Sequence, residues 1–313
     1  MLTRPAWLAL AALARAARTA SADLADGVVA VEIATVAVAT ASGLSVQWTE
    51  TLVDVTATIA VDGVTATARR RARSARALLL DARVAAAASR ARGRPAAIAT
   101  PTGRRDVVMP AEVLGGDAGG VLAVLATLAD ASLHRQGLAR TRVGAAVVEG
   151  ADVAPEPLTV RCDGTQRLGL GSAPLGDHGE PVRRFTIVDG GVLRGLALDE
   201  REAALRGEPP NGGVRNLTIG GGASTPEALR APGALELLEV THVDVEPLTG
   251  QVAIGIGLAT LHGDAGATTT VSGGELQGDL VAALCRSRRT AGTSRDGGYI
   301  GPGLIGLPGL IVV

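Results

Sequence analysis

Hydrophobic and polar positions alternate most cleanly from residue 53 onward. Val53, Val55, Ala57 and Ile59 share one parity, and Asp54, Thr56 and Thr58 share the other. That period of two marks a half-buried strand. Asp62-Gly63 follows, a pair that tolerates positive φ, and it predicts a hairpin turn into a return strand, Val64 to Ala68. Upstream, Val28 to Ala39 and Ser45 to Glu50 read as looser extended runs around a turn at Ala41-Ser42-Gly43-Leu44. The pattern then lengthens. Ser74 to Arg92 reads as a helix, with Ser74 as N-cap and Gly93 and Pro95 as its stop. Arg76, Arg83 and Arg90 recur along it as one charged stripe, read as a solvated face. At the start of the chain, Leu2, Trp7, Leu10 and Leu13 fall on one helical face. Arg15 and Arg18 interrupt that apolar run, which favours an amphipathic helix over a signal-peptide core.

Asp106 to Met109 predicts a short strand, Gly115 to Gly120 a loop, and Val121 to Ala131 an apolar helix. Gly144 to Pro157 reads as an internal boundary. Beyond it the chain breaks into short extended runs: Leu158–Arg161, Arg184–Val188, Val192–Leu196, Val214–Ile219, Leu237–Val245, Val252–Leu261 and Leu310–Val313. Asp189-Gly190-Gly191 predicts a hairpin between two of them. Asp199 with Glu202, and Ser224-Thr225-Pro226-Glu227, carry helix-start signals, and Gly278 to Arg288 is a third helical stretch. Together these predict an α+β fold: a strand-helix domain over residues 1–150, then an antiparallel β-sheet or barrel-like domain with short helices over 151–313.

Composition narrows the function classes. The 313 residues carry 30 basic and 31 acidic side chains, a net charge of -1, which disfavours a binder held by nucleic-acid phosphates. Aromatics are 1% of the chain, so base-stacking platforms are excluded. The sequence contains no Lys, which removes Schiff-base and P-loop lysine chemistry. No window approaches the ~18 apolar residues of a membrane span. Cys162 and Cys285 are too few for a disulfide framework. They read as buried thiols of a protein in a reducing, cytoplasmic setting, with a catalytic cysteine as the less favoured alternative.

The order of the motifs resembles the TldD/PmbA family of paired metallopeptidase-like proteins. Ser42-Gly43-Leu44 with Thr49 and Thr51 is similar to the family's small-Gly-Leu turn before an alternating strand. Val107-Val108-Met109-Pro110-Ala111-Glu112 resembles its entry to the middle helix. Leu175 to Pro181 resembles its acidic loop, with His178 where a second carboxylate is usual. Phe185 to Leu193 resembles its hairpin. Arg215 to Ile219 with Ser224 to Leu229, then Thr249-Gly250, match later stretches. The resemblance implies that the N-terminal domain is shortened here.

Catalytic members of that family hold a metal through an H-E-x-x-x-H motif and a late cysteine in a C-G-K context. Metal-assisted hydrolysis needs several ligands converging on one ion, a base, and an open position for water. This sequence has four histidines, His134, His178, His242 and His262, with no such motif. The stretch Val121 to Ala131 has neither His nor Glu, and Gly297 to Gly303 has no cysteine. No catalytic or metal-ligating residue is therefore assigned.

The resemblance then implies a non-catalytic subunit of a heterodimer. A TldD-like partner would carry zinc or a similar divalent metal and the catalytic Glu. The substrate would be a peptide or small amide, with a place in natural-product maturation by analogy alone. Candidate substrate contacts are Asp177, His178, Glu180, Arg215, Asn216 and His262. The strand Val252 to Leu261 is a further candidate, offering an edge for an added peptide strand. Arg215 and Asn216 read equally as holders of a carboxylate or as ties of a turn. Two alternatives stand beside this reading. One is a stand-alone hydrolase using an unrecognised Cys site or a His/Asp site (His242 with Asp244, His262 with Asp264). The other is a binding or scaffold protein.

Overall fold

The computed structural model describes residues 4–40, 43–115 and 121–313. By its contacts the chain divides into two compact units. One comprises residues 1–97 with 168–170, the other 98–167 with 171–313.

In the first unit β1 (Asp23–Ala39), β2 (Ser45–Val61) and β3 (Val64–Ala72) form an antiparallel sheet in that order. Asp62 and Gly63 make the β2–β3 turn with φ of 49° and 79°, the left-handed pair that a two-residue hairpin favours. The parity read from the sequence is realised. Val53, Val55, Ala57 and Ile59 are buried, while Asp54 on the other face lies 3.2 Å from Arg71 and 3.6 Å from Arg69. Two helices, α1 (Arg4–Thr19) and α2 (Leu80–Gly93), complete the core with Leu13, Ala16 and Ala17 from one and Val84, Ala87 and Ala88 from the other. Alanine buries little area, so this core depends on close backbone approach.

The stretch expected as one helix from Ser74 to Arg92 is broken. Ala75–Leu78 is a single 3-10 turn, Ser74 makes no side-chain cap, and Leu79 takes the left-handed conformation at φ 49° before α2 begins. A left-handed conformation in a residue with a Cβ costs about 1–2 kcal/mol. The break also dissolves the arginine stripe. Arg76 precedes it and is exposed, whereas Arg90 is buried and donates from Nη2 to the Thr67 carbonyl at 2.6 Å. Ala41 and Ser42 of the expected 41–44 turn, and residues 116–120 of the expected Gly115 to Gly120 loop, lie outside the described residues.

The second unit runs β4 (Ile98–Ala99), β5 (Gly103–Pro110), α3 (Ala111–Gly115), α4 (Ala123–Leu128), α5 (Ala131–Gln136), β6 (Val160–Asp163), β7 (Arg184–Asp189), β8 (Val192–Leu193), α6 (Glu200–Arg206), β9 (Leu217–Ile219) and α7 (Pro226–Leu229). It continues with β10 (Leu235–Val245), β11 (Gln251–His262), β12 (Thr268–Ser272), β13 (Glu275–Asp279), α8 (Leu280–Cys285), β14 (Arg288–Arg289), β15 (Ser294–Asp296), β16 (Tyr299–Gly301) and β17 (Leu304–Val312). The strands β10, β5, β17, β13 and β11 pair in that order, and β11 pairs back to β10, closing a five-stranded barrel. A second sheet has the order β15-β16-β9-β6-β7-β8. One large core includes Val107, Met109, Leu237, Ile254, Leu276 and Leu307. The α+β class expected from the sequence holds.

Three local expectations change. The apolar helix over Val121 to Ala131 is split into α4 and α5, because Asp130 leaves helical geometry to cap α5, accepting from the Ser132 and Leu133 amides. The strand Val252 to Leu261 offers no free edge: β11 is flanked by β10 on one side and by β13 and β12 on the other. It cannot take an added peptide strand. Lastly, the stretch Gly144 to Pro157, and the 150/151 division with it, lies inside the second unit. Gly144 and Val147 donate from their amides to the Leu193 and Gly191 carbonyls of the β7–β8 hairpin region. Among the described residues no helix is long and apolar enough to cross a membrane.

Candidate functional site

The acidic loop is a small closed turn. The Leu175 and Pro181 positions bridge, the Gly176 amide donates to the Glu180 carbonyl at 2.7 Å, and Gly179 sits at φ 88°. Glu180 is 6% exposed, and its Oε2 accepts the His178 amide at 2.9 Å. Gly176 is required by this packing, since a Cβ there would lie 2.1 Å from the Glu180 carboxylate. Arg215 approaches from the segment before β9. Its Nε donates to the Gly212 carbonyl at 2.9 Å and its Nη2 to Asp177 Oδ1 at 2.8 Å. The guanidinium is held from the protein side, and the exposed Asp177 closes over it.

Two short helix starts face this loop. Asp130 caps α5, and Asp199 caps α6 by accepting the Glu202 amide at 2.7 Å. Glu202 does not turn back to complete a capping box. Its buried carboxylate receives Arg135 of α5 at 3.1 Å from both Nε and Nη2. Loop and helix starts enclose a cleft of about 680 Å³, lined by Asp177, His178, Glu180 and Arg215 together with Arg135, Arg201 and Glu202. That volume suits a small-molecule or short-peptide segment. Among the described residues, the Arg201 guanidinium and the His178 ring have no hydrogen-bonded partner and remain available at the cleft.

Four of the six sequence candidates thus converge and two do not. Asn216 is a brace: its Oδ1 accepts the Gly171 amide at 2.8 Å, and its Nδ2 donates to the Asp163 carbonyl at 2.7 Å and to Ser172 Oγ at 2.8 Å. Of its two readings, the tie is the one these contacts describe. His262, at the end of β11, lies 2.9 Å from Glu236, which also receives Arg230 at 2.8 and 2.7 Å. Burial would raise the Glu236 carboxyl, but the bonds from Arg230 and His262 outweigh it and hold the group below its ordinary value. Sequence reasoning missed Arg135, Arg201 and Glu202. The Asp199/Glu202 spacing was a signal for a helix start, but nothing local marks a carboxylate bonded to an arginine 67 positions away.

The donor set does not fit a hydrolytic metal centre within the described residues. No group of three or more His, Cys, Asp and Glu side chains is arranged to hold an ion. His134 bonds the Leu128 carbonyl, His242 bonds Glu275 and Thr241, and His262 bonds Glu236. Both cysteines are free and buried. Burial raises the Cys162 thiol, and it pushes Cys285 to about 11, away from the range of a thiolate nucleophile.

Comparison with known proteins places this geometry. The family model of the PmbA/TldA metallopeptidase C-terminal domain matches residues 102–312. The chain belongs to this family. The match covers the barrel, the second sheet and the cleft. Solved structures of similar fold include a protein described as a modulator of a DNA gyrase from Thermotoga maritima, with TM-score 0.81 and 17% identity, covering 100% of this chain and 75% of that one. TldE from Thermococcus kodakarensis gives TM-score 0.78 and 15% identity, covering 98% and 74%. A second protein described as a modulator of DNA gyrase, from Bacteroides thetaiotaomicron, gives 0.76 and 14%, covering 97% and 70%. No curated protein matches the sequence. The resemblance read from the motifs is therefore to the right family, and identities this low carry the fold alone.

Proposed function

We propose that this PmbA/TldA-family chain is the non-catalytic subunit of a heterodimeric metallopeptidase acting on peptide or small amide substrates. A TldD-like partner chain supplies the metal and the catalytic Glu, and this chain forms one wall of the substrate chamber. The observation that carries the reading is the contrast between the cleft and the metal donors. Asp177, His178, Glu180 and Arg215, separated in sequence, line one cleft, whereas the other three histidines are each engaged elsewhere. A surface with recognition groups and no assembled hydrolytic centre suits a chain that positions a substrate for chemistry performed by another.

In this reading, Arg201 and His178 offer hydrogen-bond donors to substrate carbonyl or carboxylate groups, and Glu180 offers an acceptor to an amide or ammonium group. Co-expression with an H-E-x-x-x-H-bearing family member tests it. The pair is expected to co-elute in gel filtration and to hydrolyse a peptide library, with activity lost on chelation and neither chain active alone. Metal-dependent hydrolysis by this chain alone, or failure to associate with any such member, would overturn the assignment.

A further inference from the structure

A second concavity, sharing no lining residue with the cleft, has the opposite electrical character. It is a groove of about 410 Å³ against β5, β17 and α7. Arg104, Arg105, Arg286 and Arg288 line it, and Asp106 is the one carboxylate among its lining residues. None of the four guanidiniums is paired with a carboxylate among the described residues. Arg105 donates to the Pro101 carbonyl at 3.2 Å, and Arg288 donates to Ser224 Oγ at 3.2 Å. Among the described residues, the Arg104 and Arg286 side chains make no hydrogen bond. Arginines bonded to a carboxylate occur elsewhere, at Arg230 with Glu236 and Arg184 with Asp163. With a net charge of -1 over the whole chain, four cations facing one anion is a local excess that composition does not predict.

The groove is also shaped and partly apolar. Val108, Leu229 and Ala234 form a small apolar cluster separate from the main core, and all three line the groove. The wall contributed by β17 is irregular. Pairing with β5 jumps from Leu307↔Val107 to Leu310↔Arg105, so Pro308 and Gly309 bulge opposite Asp106. Gly309 takes φ 76°, and Arg104 Nη1 lies 3.6 Å from where its Cβ would be. A bulge of this kind bends the strand and re-aims the side chains beside it. No aromatic side chain lines the groove, so it has no stacking surface for a nucleobase.

We propose that this groove binds a small organic phosphate monoester with an aliphatic body. Guanidinium forks match phosphate oxygens bidentately. The surplus of positive groups favours a phosphate monoester, with a charge of about -1.5 to -2 at neutral pH, over a single carboxylate. The aliphatic part lies on Val108, Leu229 and Ala234. This site does not depend on the subunit assignment, because it uses no residue of the cleft.

Titration calorimetry of the full chain with n-butyl phosphate, inorganic phosphate, butyrate and adenosine monophosphate tests the proposal. The expected result is one saturable site for n-butyl phosphate that weakens with added salt, with each other probe bound at least about tenfold more weakly. R104A/R286A, which alters two exposed side chains, is expected to lose binding by at least about tenfold while its thermal midpoint stays unchanged. R201A, in the cleft, is expected to bind n-butyl phosphate as the parent does. Absence of saturable binding, retention of binding in R104A/R286A, or equal affinity for inorganic phosphate would each overturn it.

Discussion

Glu180 and Glu236 are almost equally buried, at 6% and 7% exposure, yet their surroundings are opposite. Glu236, where β10 starts beside the end of β11, receives three side-chain contacts, two from Arg230 and one from His262. Glu180 receives the His178 backbone amide and no basic side chain, and it borders the cleft. A carboxylate can accept about four hydrogen bonds. At Glu236 that capacity is largely spent inside the protein, whereas at Glu180 most of it is unspent within the protein. Burial alone therefore does not separate a structural glutamate from a recognition glutamate. Unused bonding capacity does.

The comparison can be broken first at Glu236. E236A leaves the His262 ring and the Arg230 guanidinium without their shared partner. The expected loss is about 2 kcal/mol, toward the low side for a broken buried pair because Arg230 is 40% exposed. Urea unfolding at neutral pH measures it, and parental stability would remove the distinction drawn here. Acid is the next lever. The folded state holds Glu236 below its ordinary 4.5, so its contribution is full above that pH and is lost as pH falls through the lower folded value. The urea midpoint of the parent should thus fall more steeply below pH 4.5 than that of E236Q, and parallel slopes would refute the linkage.

Glu180 should behave differently. E180Q keeps an acceptor for the His178 amide, so stability is expected to change by less than about 0.5 kcal/mol. In the proposed heterodimer, once reconstituted, KM should rise about tenfold with kcat little altered, the signature of lost uniform binding. A stability loss with unchanged KM would place Glu180 beside Glu236 as a structural group. Asp177 needs stability as its only readout. Because its side chain is 84% exposed, D177N should cost under about 1 kcal/mol in urea unfolding, since Arg215 keeps its bond to the Gly212 carbonyl.

What the sequence makes legible follows from the range of the interaction. The Asp62-Gly63 turn, the Thr225 cap and the Asp199 cap depend on neighbours within a few residues, and each forms as read. The break at Leu79 was hidden because nothing in its own chemistry requires a left-handed backbone. Barrel closure was hidden for a related reason. β5 lies between β10 and β17, strands more than a hundred residues away, and the alternation in a strand does not name its partner. The acidic loop could be picked out by its resemblance to a family motif. Its opposing wall, Arg135 with Glu202, could not, because two helices that look independent in sequence meet only in three dimensions.

The barrel has a kinetic corollary. Its ring is completed when Leu304–Val312 slots between Gly103–Pro110 and Glu275–Asp279, joining residues separated by some two hundred positions. Ordering a loop of that span is slow, and until it happens both receiving strands carry naked backbone amides and carbonyls. Newly made molecules should thus pass through a sticky, half-assembled interval, when chaperones matter most.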